Sequence, residues 1–284
     1  MSTIEPLHQE YFGERHKTVI RARPGAFADL REVWAYRELL WTFALRDLQV
    51  RYKQAALGMV WIALRPLIML AVMCLFFGLI VRIPSDGYPY PIFVFSAMVP
   101  WLFFSQALAG SGTSLIGAAG MLGKVYFPPL IIPLASVLAR TADLFISVLI
   151  LLLLMLLYGI TPKLNLLAFP LLLIATLLTV IGTGVLLAAL SVSFRDVREL
   201  TPLLVQLWMY ATPIIYPSSL VPEAWRPLYF INPMAGLIEG YRCAFLGRDF
   251  DLQALGYSAA VAIVLMLVGV RYFLRVQRRF ADVI

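Results

Sequence analysis

Residues 46–66 read Arg46-Asp-Leu-Gln-Val-Arg51-Tyr-Lys-Gln-Ala-Ala-Leu-Gly58-Met-Val-Trp61-Ile-Ala-Leu-Arg65-Pro66. A charged, amphipathic segment passes with no linker into a long apolar block, and that block carries Arg65 and Pro66 in its first half. A soluble domain has little reason to make such a join. A membrane protein that couples a cytoplasmic event to one inside the bilayer does.

Composition outside this stretch agrees. The 284 residues are 61% hydrophobic and 14% charged, against about 45–50% and about 25% in soluble domains. The apolar residues come in blocks: 149–157 is unbroken, and no ionisable side chain falls between Lys163 and Arg195. Residues 1–56 are charged throughout and hold no apolar h-region, so no cleavable signal peptide is expected. Cys74 and Cys243 make no disulfide framework. Cys74 falls in an apolar block and Cys243 is expected in a loop. The net charge of +7 sits beside the apolar blocks, which fits membrane flanks rather than nucleic-acid binding.

A spanning helix needs ~20 apolar residues. Six candidates follow: about 57–81, 90–112, 128–158, 166–192, 200–217 and 253–274. The third is long enough to tilt or to break after Pro133. The fifth is short and carries Pro202 and Pro213. With both termini inside, sixteen Lys and Arg fall on the cytoplasmic side. Arg82, Lys163, Arg226, Arg242 and Arg248 fall on the other, a clear positive-inside bias. The expected organisation is a cytoplasmic arm over 1–28, an amphipathic interface helix over 29–54, and a transmembrane domain over 55–284. The helix has Leu30, Val33, Trp34, Trp41, Ala44, Leu45, Leu48 and Tyr52 at helical spacing, and Asp29-x-x-Glu32 resembles a capping box. Lying in the inner interface is one reading, and packing on another element is the other. Between the last two spans, 217–252 is broken by four prolines and rich in aromatics. Half-helices dipping into the outer leaflet suit it, with their turns buried in protein or facing a cavity.

Enzyme chemistry is not in view. The only histidines, His8 and His16, precede the apolar blocks, which argues against a His-based metal site or a Ser-His triad in the membrane domain. Residues 118–125 lack the first glycine and closing Ser/Thr of a phosphate loop. No metal site is expected.

Four constellations remain. Arg65 lies ~12 Å into the first span, where a charge must snorkel, pair or face a polar path. Pro66 should bend the helix. Arg140 and Asp143 share a helix face and can pair, as structural glue or within a pathway. Trp101, Phe103 and Phe104, with Trp208 and Tyr210, fall near mid-span, away from the usual aromatic belts, and Tyr216 near the end of the fifth candidate is grouped with them. They either pack or line a path for a ligand with apolar faces and polar edges, such as a sugar. Residues 113–128 form an apolar, Gly-rich inner loop, where a short surface helix and a partner site are plausible. Phe194-Arg195-Asp196 forms the other inner loop.

From about Leu39 to Arg275 the chain resembles the membrane subunit of bacterial polysaccharide ABC exporters, within the type-2 ABC transporter permeases. The marks are Arg46-Asp47, Arg51-Tyr52-Lys53-Gln54, Leu57-Gly58, Trp61 before Pro66, Pro100-Trp101-x-Phe103-Phe104 and Lys124-Val-Tyr-Phe-Pro128 with Pro133. Phe194-Arg195-Asp196, Thr212-Pro213-Ile214-Ile215-Tyr216, Val221-Pro222, Asn232-Pro233 and Tyr241-Arg242 follow. Their order and spacing carry the resemblance. It implies an all-α integral membrane protein with six transmembrane helices, an amphipathic interface helix and re-entrant half-helices over 218–246. It also implies a homodimer in the bacterial plasma (inner) membrane, with two copies of a separate ABC ATPase holding ATP and Mg²⁺. This chain would have no cofactor or catalytic residue of its own. The substrate would be a lipid-linked glycan of O-antigen, capsule or teichoic-acid type. Residues 113–127 become a coupling helix, so Lys124, Tyr126, Phe127 and Pro128, with Arg195 and Asp196, would meet the ATPase. The chain departs from the family in Gly117-Ala-Ala-Gly-Met121, where members often have polar residues, and in Arg65, where they often have Gln.

A type-2 permease for a small hydrophobic drug or lipid would share this topology. A membrane sugar transferase would need an acidic cluster at the inner surface, and an ion-coupled carrier would need no ATPase.

Overall fold

The computed structural model describes residues 26–53, 60–122, 124–277 and 280. Residues 1–25 of the expected N-terminal arm, the Gln54 and Leu57-Gly58 marks, and Arg278 and Arg279 lie outside the described residues, and 26–28 belong to the first helix.

Among the described residues the elements are helices joined by turns, with no strand. They are α1 (Ala26–Ala35), α2 (Arg37–Lys53), α3 (Val60–Met73, continuing as a π-helical stretch Cys74–Ile80), α4 (Tyr90–Gly117) and α5 (Ala119–Leu122). Next come α6 (Ile131–Leu157), α7 (Phe169–Ser193), α8 (Arg195–Tyr210), α9 (Arg226–Tyr229), α10 (Pro233–Leu246) and α11 (Leu252–Val276). Among the described residues, five stretches are long and apolar enough to cross a bilayer: Val60–Ile80, Tyr90–Gly117, Ile131–Leu157, Leu164–Ser193 and Leu252–Val276. The protein is an all-α membrane protein.

The fifth expected span, 200–217, takes a different form. The helix α8 starts earlier, at Arg195, and ends at Tyr210. Pro213 disfavours helical backbone at Thr212, so 211–217 is irregular. Sixteen residues reach about 24 Å, short of the ~30 Å hydrocarbon core. Pro133 causes no break, because it lies in the first turn of α6, where a missing N–H costs nothing. Pro66 and Pro100 lie inside α3 and α4, which continue through them.

The helix α4 is the centre of the bundle. It is apolar on every side and buried on most, packing on α6, α7 and α10. The outer helices α3, α6 and α11 bury one stripe and turn Leu, Ile and Val outward, as helices facing lipid do. The closest backbone approach joins α7 to α11. A Cβ on Gly269 would overlap the Gly182 carbonyl oxygen, and one on Gly182 would lie 2.5 Å from Leu265 backbone carbon. Small residues permit this approach where the solvent is lipid. Gly269→Leu is therefore expected to force the two helices apart. The measurable result is a lower yield of folded protein in the membrane and a lower unfolding temperature in detergent, with Gly256→Leu, at an open position, as the tolerated control.

The beginnings of α4 and α7 share one end of the bundle. There the Tyr88 hydroxyl donates to the Leu246 carbonyl at 3.2 Å and Asn165 Nδ2 donates to the Arg248 carbonyl at 2.6 Å. This is called the Asp86 end below. The opposite end, where α4 and α7 finish, carries 124–128 and 194–196 and is the Lys124 end.

The expected interface helix is two helices. Backbone helix is already under way at Ala26, so Asp29 does not start it, and a turn at Tyr36 separates α1 from α2. Its apolar residues form two faces. Phe43 and Ala44 are buried against the protein, while Trp34 and Trp41 are 73% and 56% exposed on another face. The Phe43 ring meets Phe127 edge-on at 5.6 Å, and Arg51 reaches Asp143, so α2 runs alongside the first half of α6.

The expected coupling helix is shorter than 113–127. Thr113 and Ser114 hydroxyls bond to the Ala109 and Ser111 carbonyls, and α4 continues through them to Gly117. Only the single turn α5 follows. Cys243, expected in a loop, is buried within α10.

Candidate functional site

The segment after α8 leaves the Asp86 end and comes back to it. Ser219 Oγ donates to Asp86 Oδ1 at 3.2 Å, and Arg248 Nη1 donates to Asp86 Oδ2 at 2.9 Å. One carboxylate thus receives both ends of a thirty-residue excursion. Asp86 itself is held at φ 50, a left-handed conformation that Asp tolerates better than most residues. Burial opposes the charge of Arg248, but Glu239 and Asp86 outweigh it and hold its pKa above the usual guanidinium value.

Between these ends the chain reaches the middle of the bundle at Asn232. Its side-chain oxygen accepts from Met234 N at 3.0 Å, which caps α10, and from Trp208 Nε1 at 2.8 Å. Its Nδ2 donates to the Ala211 carbonyl and to Thr212 Oγ1 at 3.1 and 3.0 Å. Four hydrogen bonds use the two donors and both lone pairs of an amide. Pro233 follows at the first helical position, where its fixed φ suits a helix start. The Trp208 ring meets Phe104 edge-on at 5.0 Å, and Phe104 lies about 21 Å along α4 from Tyr90. From that depth α10 climbs back to the Asp86 end, with all of its residues buried.

Asn232→Ala is expected to destabilise by about 1–2 kcal/mol through the lost cap, and further through the orphaned indole N–H. Asn232→Asp keeps the oxygen that accepts from Met234 and Trp208 but loses both donors, and should fall between Ala and wild type. Thermal unfolding in detergent orders the three.

Arg242 holds the climbing helix in place. It is wholly buried. Its guanidinium donates to the Ile214 carbonyl at 2.8 Å, to Glu239 Oε2 at 3.2 Å, to the Tyr216 carbonyl at 3.4 Å and to the Phe93 carbonyl at 3.5 Å. It also sits 3.8 Å over the Phe93 ring. Three segments are joined through it: 211–217, α10 and α4. From sequence, Arg242 stands only among the outer charges and the marks of the resemblance, and the intramembrane pair singled out is Arg140–Asp143. The spacing Glu239-x-x-Arg242, one helical turn, could have revealed this second pair.

The aromatics separate. Trp101, Phe103 and Phe104 are buried in the core, with Trp101 and Phe104 rings 5.4 Å apart. Their contacts are with other side chains of this chain. Trp208 completes that cluster and binds Asn232. Tyr216 shares a hydroxyl contact with Tyr229 at 3.1 Å and donates to the Tyr210 carbonyl at 3.2 Å. The Tyr210 ring is exposed, on the same open face of α8 as Leu203 and Leu207.

The residues expected to meet a partner also divide. Phe127 and Pro128 are buried, Phe127 anchoring the loop on α2. Lys124 and Tyr126 point outward, with Tyr126 donating to Glu32 Oε1 at 3.1 Å. Arg195 and Asp196 are exposed at the start of α8. Beside them, at the same end, Val125, Tyr126 and Phe194 are 60%, 54% and 58% exposed. Val125 and Phe194 stand within quoted motifs but are not among the residues expected to meet a partner, because an isolated apolar residue in a loop carries no periodicity.

Arg65 lines a cavity of about 290 Å³ together with Arg51, Trp61, Gln106, Asp143 and Ser147. Asp143 accepts from Arg51 at 2.8 Å and has Arg140 at 3.7 Å. Arg140 also donates to Gln106 Oε1 at 3.1 Å. The expected pair is thus part of a larger cluster.

This architecture can be set beside known proteins. The family model for the ABC-2 type transporter matches residues 38–246. The O-antigen export system permease protein RfbA of Myxococcus xanthus is 31% identical over 258 residues, covering 89% of this chain and 98% of the relative. An RfbA of Klebsiella pneumoniae is 28% identical over 87% of this chain and 95% of its own length. The polysialic acid transport protein KpsM of Escherichia coli is 23% identical over 81% and 90%. The match begins in α2 and runs through the last residue of α10, so it takes in the Asp86 end, the Lys124 end and the Arg65 cavity alike: the chain belongs to the ABC-2 type transporter family.

Proposed function

We propose that this chain is the channel-forming membrane subunit of an ATP-driven exporter for a lipid-linked polysaccharide. The observation that carries it is the near end-to-end match to O-antigen export permeases, with a polysialic acid transport protein behind them. The same similarity favours a polymer over a small hydrophobic drug. The chain works as a homodimer in the bacterial plasma membrane, with both termini cytoplasmic. Its six crossings include α8 with the irregular 211–217, and the segment 218–246 is re-entrant from the outer side. The shared carboxylate of Asp86 supports that last point. The outward apolar face of α8, with Leu203, Leu207 and Tyr210, suits a second copy or the path between two copies, because six helices leave little room for a polymer within one chain.

ATP hydrolysis belongs to two copies of a separate cytoplasmic subunit, which holds the ATP and Mg²⁺. Exposed Val125, Tyr126 and Phe194 at the Lys124 end support docking there, since apolar surface at a membrane protein's aqueous end marks a partner site. Deleting the gene should leave completed lipid-linked glycan inside the cell and none at the surface, with rescue requiring both this chain and its ATPase. Normal surface glycan in the deletion strain would contradict the reading.

A further inference from the structure

The excursion that begins and ends at Asp86 has two halves, and they are held very differently. The returning half, α10, is buried at every residue. Arg242 ties it to α4 and to 211–217, and the Tyr241 hydroxyl lies 3.2 Å from Thr176 Oγ1 of α7. The outgoing half, 218–231, bonds mostly to itself, because its backbone hydrogen bonds are local turns. Among the described residues, two side-chain hydrogen bonds tie it to the rest of the chain: Ser219 to Asp86, and Tyr229 to Tyr216. Phe230 is its buried apolar anchor, packed with Ala235 and Ala254. Leu220, Trp225, Leu228 and Ile231 are exposed. Few buried contacts and exposed turns mark a segment that opens locally at low cost.

The outgoing half is also long enough to lift without moving its ends. Ser219 lies at the Asp86 end and Asn232 near the level of Phe104, about 21 Å apart along the bundle. The thirteen steps from Ser219 to Asn232 reach about 43 Å when extended. Release at Ser219 strands no charge. Arg248 stays 2.9 Å from the other carboxylate oxygen of Asp86, and Ser219 is exposed, so water takes the place of its acceptor. Exchanging one exposed hydrogen bond for another with water is cheap, whereas opening a buried charge pair is not.

We propose that 218–231 is a flap that lifts from the Asp86 end while α10 stays in place. Asp86 is the positioning residue that latches it through Ser219, and Arg248 keeps Asp86 paired when the latch opens. The latch does not depend on the export reading. On that reading the flap borders the outer exit, and its lifting widens the path for the polymer.

Phe230 and Cys243 report on the two halves, since both are buried, at 6% and 3% exposure. The measurement is the rate at which a water-soluble maleimide labels each thiol in the full-length chain in nanodiscs, with Cys74→Ala and Phe230→Cys as the common background. Ser219→Ala should raise the rate at position 230 by about tenfold, as for a lost hydrogen bond to a charged group. Ser219→Thr keeps the hydroxyl and should match the background, and Ser219→Lys, which can pair with Asp86, should lower the rate. Cys243 should stay protected in all of them. Equal rates at position 230 across the Ala, Thr and Lys variants would overturn the latch. Labelling of Cys243 in step with position 230 would overturn the independence of the two halves. With the ATPase and glycan present, Ser219→Lys in the otherwise wild-type chain should slow delivery severalfold, and normal delivery would overturn the flap's part in export. The labelling needs neither ATP nor glycan, so a failure of the export reading would leave its result standing.

Discussion

Replacing Arg242 with methionine should cost the protein the order of its Asp86 end. The side chain is 0% exposed, and one guanidinium serves the Ile214, Tyr216 and Phe93 carbonyls and the Glu239 carboxylate. Methionine fills part of the volume and meets none of these acceptors. Glu239 would retain only Arg248, at 3.7 Å. Breaking a buried pair by removing one partner costs about 3–5 kcal/mol, because the remaining charge stays buried. The expected readings are a markedly lower unfolding temperature in detergent and protease cleavage within 211–232. Arg242→Met with Glu239→Gln removes the stranded charge and should recover part of the loss. Wild-type stability in the single variant would show that α10 is held by apolar packing alone.

Aspartate in place of both Val125 and Phe194 should abolish export while leaving insertion and folding intact. Both side chains are exposed at the Lys124 end, so neither change disturbs the core. At a docked interface each would bury an unpaired charge, and losing a central contact costs about 2 kcal/mol or more. Two such losses amount to about a thousandfold in affinity. The ATPase should no longer co-purify with the doubly substituted chain, and Lys124→Glu should weaken the association in the same direction. Phe127→Ala separates docking from folding. Its ring is buried against Phe43, so it should lower stability, by about 3–5 kcal/mol as core Phe truncations do. Normal co-purification of the double variant would move the docking surface elsewhere.

Much of this fold can be read from the chain because lipid imposes long apolar blocks. Among the described residues, five helices long and apolar enough to span lie where the blocks predict them, and Pro133 misleads only by suggesting a break that α6 avoids. What periodicity does not report is which side of a wholly apolar helix meets protein. Trp101 and Phe104 therefore read equally well as path or packing, and the structure surrounds them with their own chain's residues. The excursion from Ser219 to Arg248 was recognisable as unfit to cross, from its prolines and aromatics. Its organising residues were hidden for a different reason. Asn232, Arg242 and Asp86 act through contacts with α8, α4 and one another across long separations, and local spacing records only two fragments of that: Asn232-Pro233 as a helix start and Glu239-x-x-Arg242 as a one-turn pair. Arg51 is a similar case, read as part of a helix end and found 2.8 Å from Asp143.

The central claim is tested most directly in inside-out membrane vesicles that contain this chain and its ATPase, loaded from outside with lipid-linked glycan. The measurement is the fraction of glycan that becomes protected from an added glycan-degrading enzyme. Protection should appear only with ATP, fail without either subunit, and fail in the Val125→Asp, Phe194→Asp chain. Protection that needs no ATP, or glycan that stays fully exposed while a small hydrophobic dye is pumped by the same vesicles, would contradict the account.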